Sequence, residues 1–164
     1  MNVIFDINNY NVENVVFLET KKNMLMDGIF TKIIYSDENV SINGIYLTFP
    51  ISVQGTSRLI NKKIIYYQTN NMDNSSVVKE LANIEHNILS YYKRVNNCVK
   101  THVYVLSDQL YCGSLKIYKE TLFSQYNSIV NYGNQKYIIK ISGIWENKTQ
   151  YGITYKFIEA TELV

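Results

Sequence analysis

The chain has 164 residues, of which 46% are hydrophobic and 18% charged, with a formal net charge of +2. That suits one domain with enough apolar side chains for a core, and so small a net charge excludes a strong whole-molecule field. No apolar run approaches the roughly 18 residues of a membrane span. The two cysteines, Cys98 and Cys112, are too few for a disulfide scaffold and have no neighbours at metal-ligand spacing.

Polar character comes from asparagine more than from charge, and lysine outnumbers arginine 14 to 2. Aromatic residues make up 13% of the chain, with 15 tyrosines, a residue that suits half-buried strands and also stacks on bases. Charge is uneven. Residues 1–50 carry three lysines against six carboxylates, whereas residues 100–156 carry seven lysines against three. Any basic surface is therefore local. The expected state is a soluble intracellular protein with free thiols and no secretion signal.

Residues 1–14 read as a loose lead-in. Val15–Leu18 is a short apolar strand, and the following polar run turns on Asp27-Gly28. Ile29–Tyr35 is β-branched and aromatic, hence strand. Val40–Phe49 is another, with Gly44 as a candidate bulge and Pro50 at its end. Gln54–Ser57 reads as loop and Lys62–Thr69 as strand. From Val77 to about Val95 the period changes: Val77, Leu81, Ile84, Ile88 and Val95 recur at helical steps, which predicts one amphipathic helix capped near Ser76.

Strand signals resume at His102–Leu106 and again at Leu110–Tyr118. Residues 121–135 form a polar connection. The chain closes on a hairpin, Lys136–Trp145 and Tyr151–Ile158, joined by Glu146–Gln150, and a short tail at 159–164. The order predicts a single mostly β domain with one helix. The expected architecture is an OB-like small barrel of about six to eight strands, with the helix (about 77–95) between the third and fourth main strands.

As chemistry, the chain offers little for an enzyme. His86 and His102 have no carboxylate or cysteine at triad or metal spacing, and no glycine-rich phosphate loop appears. No catalytic residue, metal or cofactor is expected. Glu80 and Glu85, five apart on one helix, do not converge. The inventory is better for binding. Lysine–aromatic clusters fall on predicted strands: Lys62, Lys63, Tyr66 and Tyr67; Lys116 and Tyr118, with Lys119; and Lys136, Lys140, Trp145, Tyr155 and Lys156. Basic grooves with aromatic platforms hold single-stranded nucleic acid. The period of two places Lys136 and Lys140 on one face and Tyr137 on the other, and puts Lys116 with Tyr118. The plainer reading is that such rings are core or cross-strand partners and such lysines are solvated edge guards.

Three segments carry a resemblance: Glu19–Ser36, Asn43–Leu47, and Lys140–Trp145 with Tyr151–Phe157. Their character and order are similar to proteins of large nucleocytoplasmic DNA viruses, and resemble the podovirus-type single-stranded DNA-binding proteins. The resemblance implies a small OB-fold replication and recombination protein without catalytic activity that coats unpaired DNA. Single-stranded DNA is then the expected partner, with RNA, replication proteins and further copies of the chain left open, and not a membrane. Family members of phages end in an acidic tail; here only Glu159 and Glu162 lie near the end. The competing reading is a small β-rich viral structural or scaffold protein working through protein–protein contacts.

Overall fold

The computed structural model of the chain describes residues 3–118 and 135–159. The connection expected at 121–135 and the tail fall almost wholly outside these residues, as does Lys119. The described chain is mostly β. Its strands are β1 (Phe5–Asp6), β2 (Val15–Lys22), β3 (Ile29–Ser36), β4 (Ser41–Asn43), β5 (Ile45–Ile51), β6 (Gly55–Leu59), β7 (Lys62–Tyr66), β8 (Thr101–His102), β9 (Ser114–Tyr118), β10 (Gln135–Glu146) and β11 (Gln150–Glu159). Two helices accompany them, α1 (Met72–Asn96) and α2 (Val105–Tyr111), where one helix was expected, and α1 follows the seventh of eleven described strands rather than the third of six to eight.

The strands form one mixed sheet with a main path β1-β5-β10-β11-β9-β7-β6, and the described pairings do not close it. β10 is its axis. Residues 135–141 of β10 pair with β5, and residues 143–146 pair with β3. The switch falls at an irregularity between Ile141 and Gly143. Directly beside it lies Gly44, where the chain leaves β3 (as β4) and crosses to β10 (as β5). Gly44 has φ +94, and a Cβ there would meet the Ile141 carbonyl oxygen at 3.0 Å. Only glycine takes that bend without strain.

One face of the sheet is covered by the helices. Leu47, Phe49, Ile65, Ile117, Tyr137, Ile139, Ile153 and Phe157 pack there against Val78, Leu81, Ile84, Ile88 and Tyr92 of α1 and Leu106 and Leu110 of α2. Each such side chain contributes roughly 1.5–3 kcal/mol on burial. Ordinary helix propensities differ by under about 0.7 kcal/mol per residue, so the apolar stripe decides where α1 lies.

Several local expectations are corrected. α1 starts at Met72, not at Val77, because the Asn71 side chain accepts from the Asp73 N–H and caps it. Residues 1–14 are not loose from Val3 onward: β1 adds to β5 in parallel, and Ile7 and Tyr10 join the core. Gln54–Ser57 is not all loop, since β6 pairs with β7 through a two-residue turn at Ile60-Asn61. His102–Leu106 is not a strand beyond His102. Val105 and Leu106 instead open α2, because the Glu85 carboxylate of α1 accepts from the Leu106 and Ser107 N–H groups at 2.9 and 2.8 Å. Among the described residues no helix is long and apolar enough to cross a membrane.

Candidate nucleic-acid interface

Residues paired across strands share a face of the sheet, so the registers divide every strand into a helix-side and an outer set. Tyr66, Ile64 and Lys62 stand opposite Ser114, Lys116 and Tyr118. Tyr118 is in register with Ile158, Ile158 with Ile138, Lys156 with Lys140, Lys140 with Tyr46, and Lys136 with Pro50. All of these are outer positions. Beyond the β10 irregularity the outer set continues through Thr154, Gly143 and Lys32, then through Gly152, Trp145 and Phe30.

The outer face therefore gathers lysines from five strands: Lys62, Lys116, Lys136, Lys140, Lys156 and Lys32. No Asp or Glu occupies an outer position along β3, β5, β7, β9, β10 or β11. Asp6, opposite Thr48 on the edge strand β1, carries a carboxylate on this side, where it accepts from the Asn8 N–H and side-chain amide.

Two of the lysines lie over tyrosine rings directly across from them. Lys140 Nζ is 5.0 Å from the Tyr46 ring centre and Lys62 Nζ is 5.6 Å from that of Tyr118. Tyr46 is buried with Ile138 and Ile158 in a small second apolar cluster, so its ring is not available to a ligand. Tyr66 and Tyr118 are exposed. Trp145 lies half-buried over Gly152, where a Cβ would come within 2.9 Å of its ring. Phe30 covers Gly143 in the same way, at 2.5 Å.

The remaining residues singled out from the sequence lie on the helix side. Lys63 Nζ pairs with Glu159 at 2.9 Å. Tyr67 is buried and donates to the Leu110 carbonyl at 2.7 Å. Tyr155 reaches the Val105 carbonyl and the Gln109 side chain at 3.2 and 2.6 Å. Burial pushes its hydroxyl up to about 12, with the Glu85 and Asp108 carboxylates adding to the rise. The structure thus brings Lys62, Tyr66, Lys116, Tyr118, Lys136, Lys140, Trp145 and Lys156 to one face and leaves Lys63, Tyr67 and Tyr155 off it. Sequence reasoning missed Phe30 and Lys32. Their alternation with Ile29, Thr31 and Ile33 was the available signal.

Elsewhere the titratable groups serve packing. Glu146 is buried and accepts from the Tyr92 hydroxyl, which also meets Thr31 at 3.1 Å, while Lys100 Nζ lies 2.8 Å from its other oxygen. Burial and the Glu146 hydrogen bond push the Tyr92 hydroxyl well above its ordinary range. The two histidines flank one ring: His86 Nδ1 is 2.9 Å from the Tyr104 hydroxyl, and the His102 ring centre is 4.6 Å from that of Tyr104.

No family model matches this chain, and neither a curated protein nor a solved structure matches it.

Proposed function

We propose that this protein is a non-enzymatic single-stranded DNA-binding protein of viral DNA replication and recombination, and that the outer face of its sheet is the binding surface. One observation carries the reading: lysines from five strands gather on the face away from the helices, and among the described residues the six strands that build it carry no Asp or Glu at an outer position. The ammonium groups neutralise phosphates and release counterions. Tyr66, Tyr118 and Trp145 offer ring surface to bases, a contact worth roughly 1–3 kcal/mol per base and tolerant of sequence. An OB-type curl belongs to the same reading. The bends at Gly44 and at the β10 irregularity support it, since such sites strengthen local twist.

The test is a salt titration of binding to oligo-dT, with RNA and duplex of the same length beside it. Affinity for the single strand is expected to be weakly sequence-dependent and to fall linearly on a log–log plot against salt. A large soluble assembly without salt-sensitive affinity for any oligonucleotide would overturn the proposal and favour a scaffold role through protein contacts. The exposed Leu59 and Ile60 at the β6–β7 tip speak for that second reading.

A further inference from the structure

The β2–β3 hairpin ends in side chains unusual for a turn. Tips of this kind are normally built from Gly, Asn, Asp and Ser. Here Asn23 and Gly28 close the loop through a 2.9 Å hydrogen bond, and the residues between begin Met24-Leu25-Met26. Met24 and Leu25 are 90% and 96% exposed, so nothing in the fold uses them.

The tip is held in place. Gly28 lies against the Glu146 carbonyl, and a cavity of about 210 Å³ between the β2–β3 and β10–β11 turns is lined by Asp27, Gly28, Lys100, Asn147 and Lys148. Lys21 and Lys22 are exposed on the strand that leads into it. Apart from Asp27, the charged groups that line this cavity are therefore cationic or, like Glu146, buried and paired. The tip is also continuous with the outer face: Lys21 is in register with Phe30, and Phe30 with Trp145.

We propose that this hairpin tip is a wedge that stacks on the first base pair where a bound single strand meets duplex. The inference rests on the outer face holding the unpaired strand. Bases that run past Trp145 and Phe30 arrive at the tip, the flanking lysines meet the phosphates, and Met24 and Leu25 cover the terminal pair. Apolar side chains of this kind are what nucleic-acid binders insert against base steps. Continuity with the lysine–aromatic face favours nucleic acid over an anionic lipid surface, which the same charge and apolar pattern would otherwise suit.

The experiment compares wild type with the Met24→Ser, Leu25→Ser double variant, after thermal unfolding shows equal stability. Three probes are used: oligo-dT, a fork carrying the same oligo-dT arm with 2-aminopurine at its last pair, and vesicles of phosphatidylserine and phosphatidylcholine. Wild type is expected to prefer the fork to oligo-dT by about tenfold, the equivalent of one well-formed apolar contact, and to brighten the 2-aminopurine. The variant is expected to keep its oligo-dT affinity and lose that preference. Equal fork preference in both proteins overturns the wedge while leaving the binding face standing. Salt-sensitive vesicle binding by wild type that the variant loses overturns it in favour of a membrane contact. Absence of oligo-dT binding by wild type overturns the binding face, and the wedge with it.

Discussion

Tyr66 and Tyr67 are neighbours in the chain and opposites in the fold. Tyr66 is 45% exposed on the outer face, opposite Ser114, while Tyr67 is 4% exposed with its hydroxyl on the Leu110 carbonyl. The pair separates binding from stability. Tyr66→Ala is expected to weaken oligo-dT binding by roughly 1–3 kcal/mol, the worth of one stacked base, with little change in unfolding. Tyr67→Phe is expected to lower stability by about 1 kcal/mol, because it removes one buried hydrogen bond to a carbonyl that keeps only the Gly113 and Cys112 N–H groups of its own turn, and to bind as wild type does. Fluorescence titration and urea unfolding of both proteins check this. A Tyr67→Phe variant that unfolds as wild type but binds less would place the site on the wrong side of the sheet.

Lys116 and Lys136 are exposed on the outer face, in β9 and β10. Charge reversal at both should act on phosphate contacts alone. Each lost contact is expected to reduce the slope of log affinity against log salt by about 0.7. Stability should stay within about 0.5 kcal/mol, as for other surface substitutions. Lys63→Glu is the control, since its ammonium already belongs to Glu159 on the helix side. It should cost stability and leave the salt slope alone.

Glu85 and Ser107 hold α1 to α2. One carboxylate oxygen accepts from the Ser107 N–H and hydroxyl at 2.8 and 2.6 Å, and the other accepts from the Leu106 N–H. Glu85→Ala removes every one of these acceptors inside the protein and is expected to cost about 2–4 kcal/mol in urea unfolding. Burial raises the Glu85 carboxyl above its ordinary value of 4.5, and the hydrogen bonds from Ser107 and Leu106 offset part of the rise. The folded protein thus holds this proton more tightly than the unfolded chain does. Its contribution to stability is complete below pH 4.5 and is lost as pH rises through the folded value. The stability advantage of wild type over Glu85→Gln, which cannot titrate, should accordingly shrink as pH rises above that range.

Much of this arrangement was legible in the chain, and its misses have physical causes. The stripe of Val77, Leu81, Ile84 and Ile88 located α1, since a wide apolar face leaves a helix few places to lie. Period two separated Lys136 and Lys140 from Tyr137. The same rule implies that Lys62 and Lys63, Tyr66 and Tyr67, or Tyr155 and Lys156 cannot share a face, so grouping them by adjacency mixed two surfaces. Trp145 is subtler. Strict alternation from Tyr137 would turn it inward, and the irregularity between Ile141 and Gly143 turns it out. α2 was hidden because Val103, Val105 and their neighbours look like strand locally. Its start is set by Glu85, 20 or more residues upstream.

Gly28 joins the two hairpins at the end of the sheet, and its substitution tests whether that junction is rigid. Its φ is +146, and a Cβ would lie 1.9 Å from the Glu146 oxygen, 3.0 Å from its carbonyl carbon and 3.2 Å from the Asn147 Cα. All three are backbone atoms of the central hairpin, so no side chain can swing aside to relieve the clash. Gly28→Ala is therefore expected to cost on the order of 3 kcal/mol, which lowers Tm by about 6–12 °C in a chain of this size. Gly55→Ala is the matched control: nothing lies within 4 Å of its Cβ position, and its backbone is not in the positive-φ region. It should unfold close to wild type. Similar losses in both variants would mean that alanine is disfavoured in these strands generally. A stable Gly28→Ala would mean that the β2–β3 turn can lift off the β10–β11 turn without cost. The contact between those turns is what holds Asp27 and Gly28, at the base of the tip, beside Lys100 and Lys148, so the wedge needs Gly28→Ala to be the costly one.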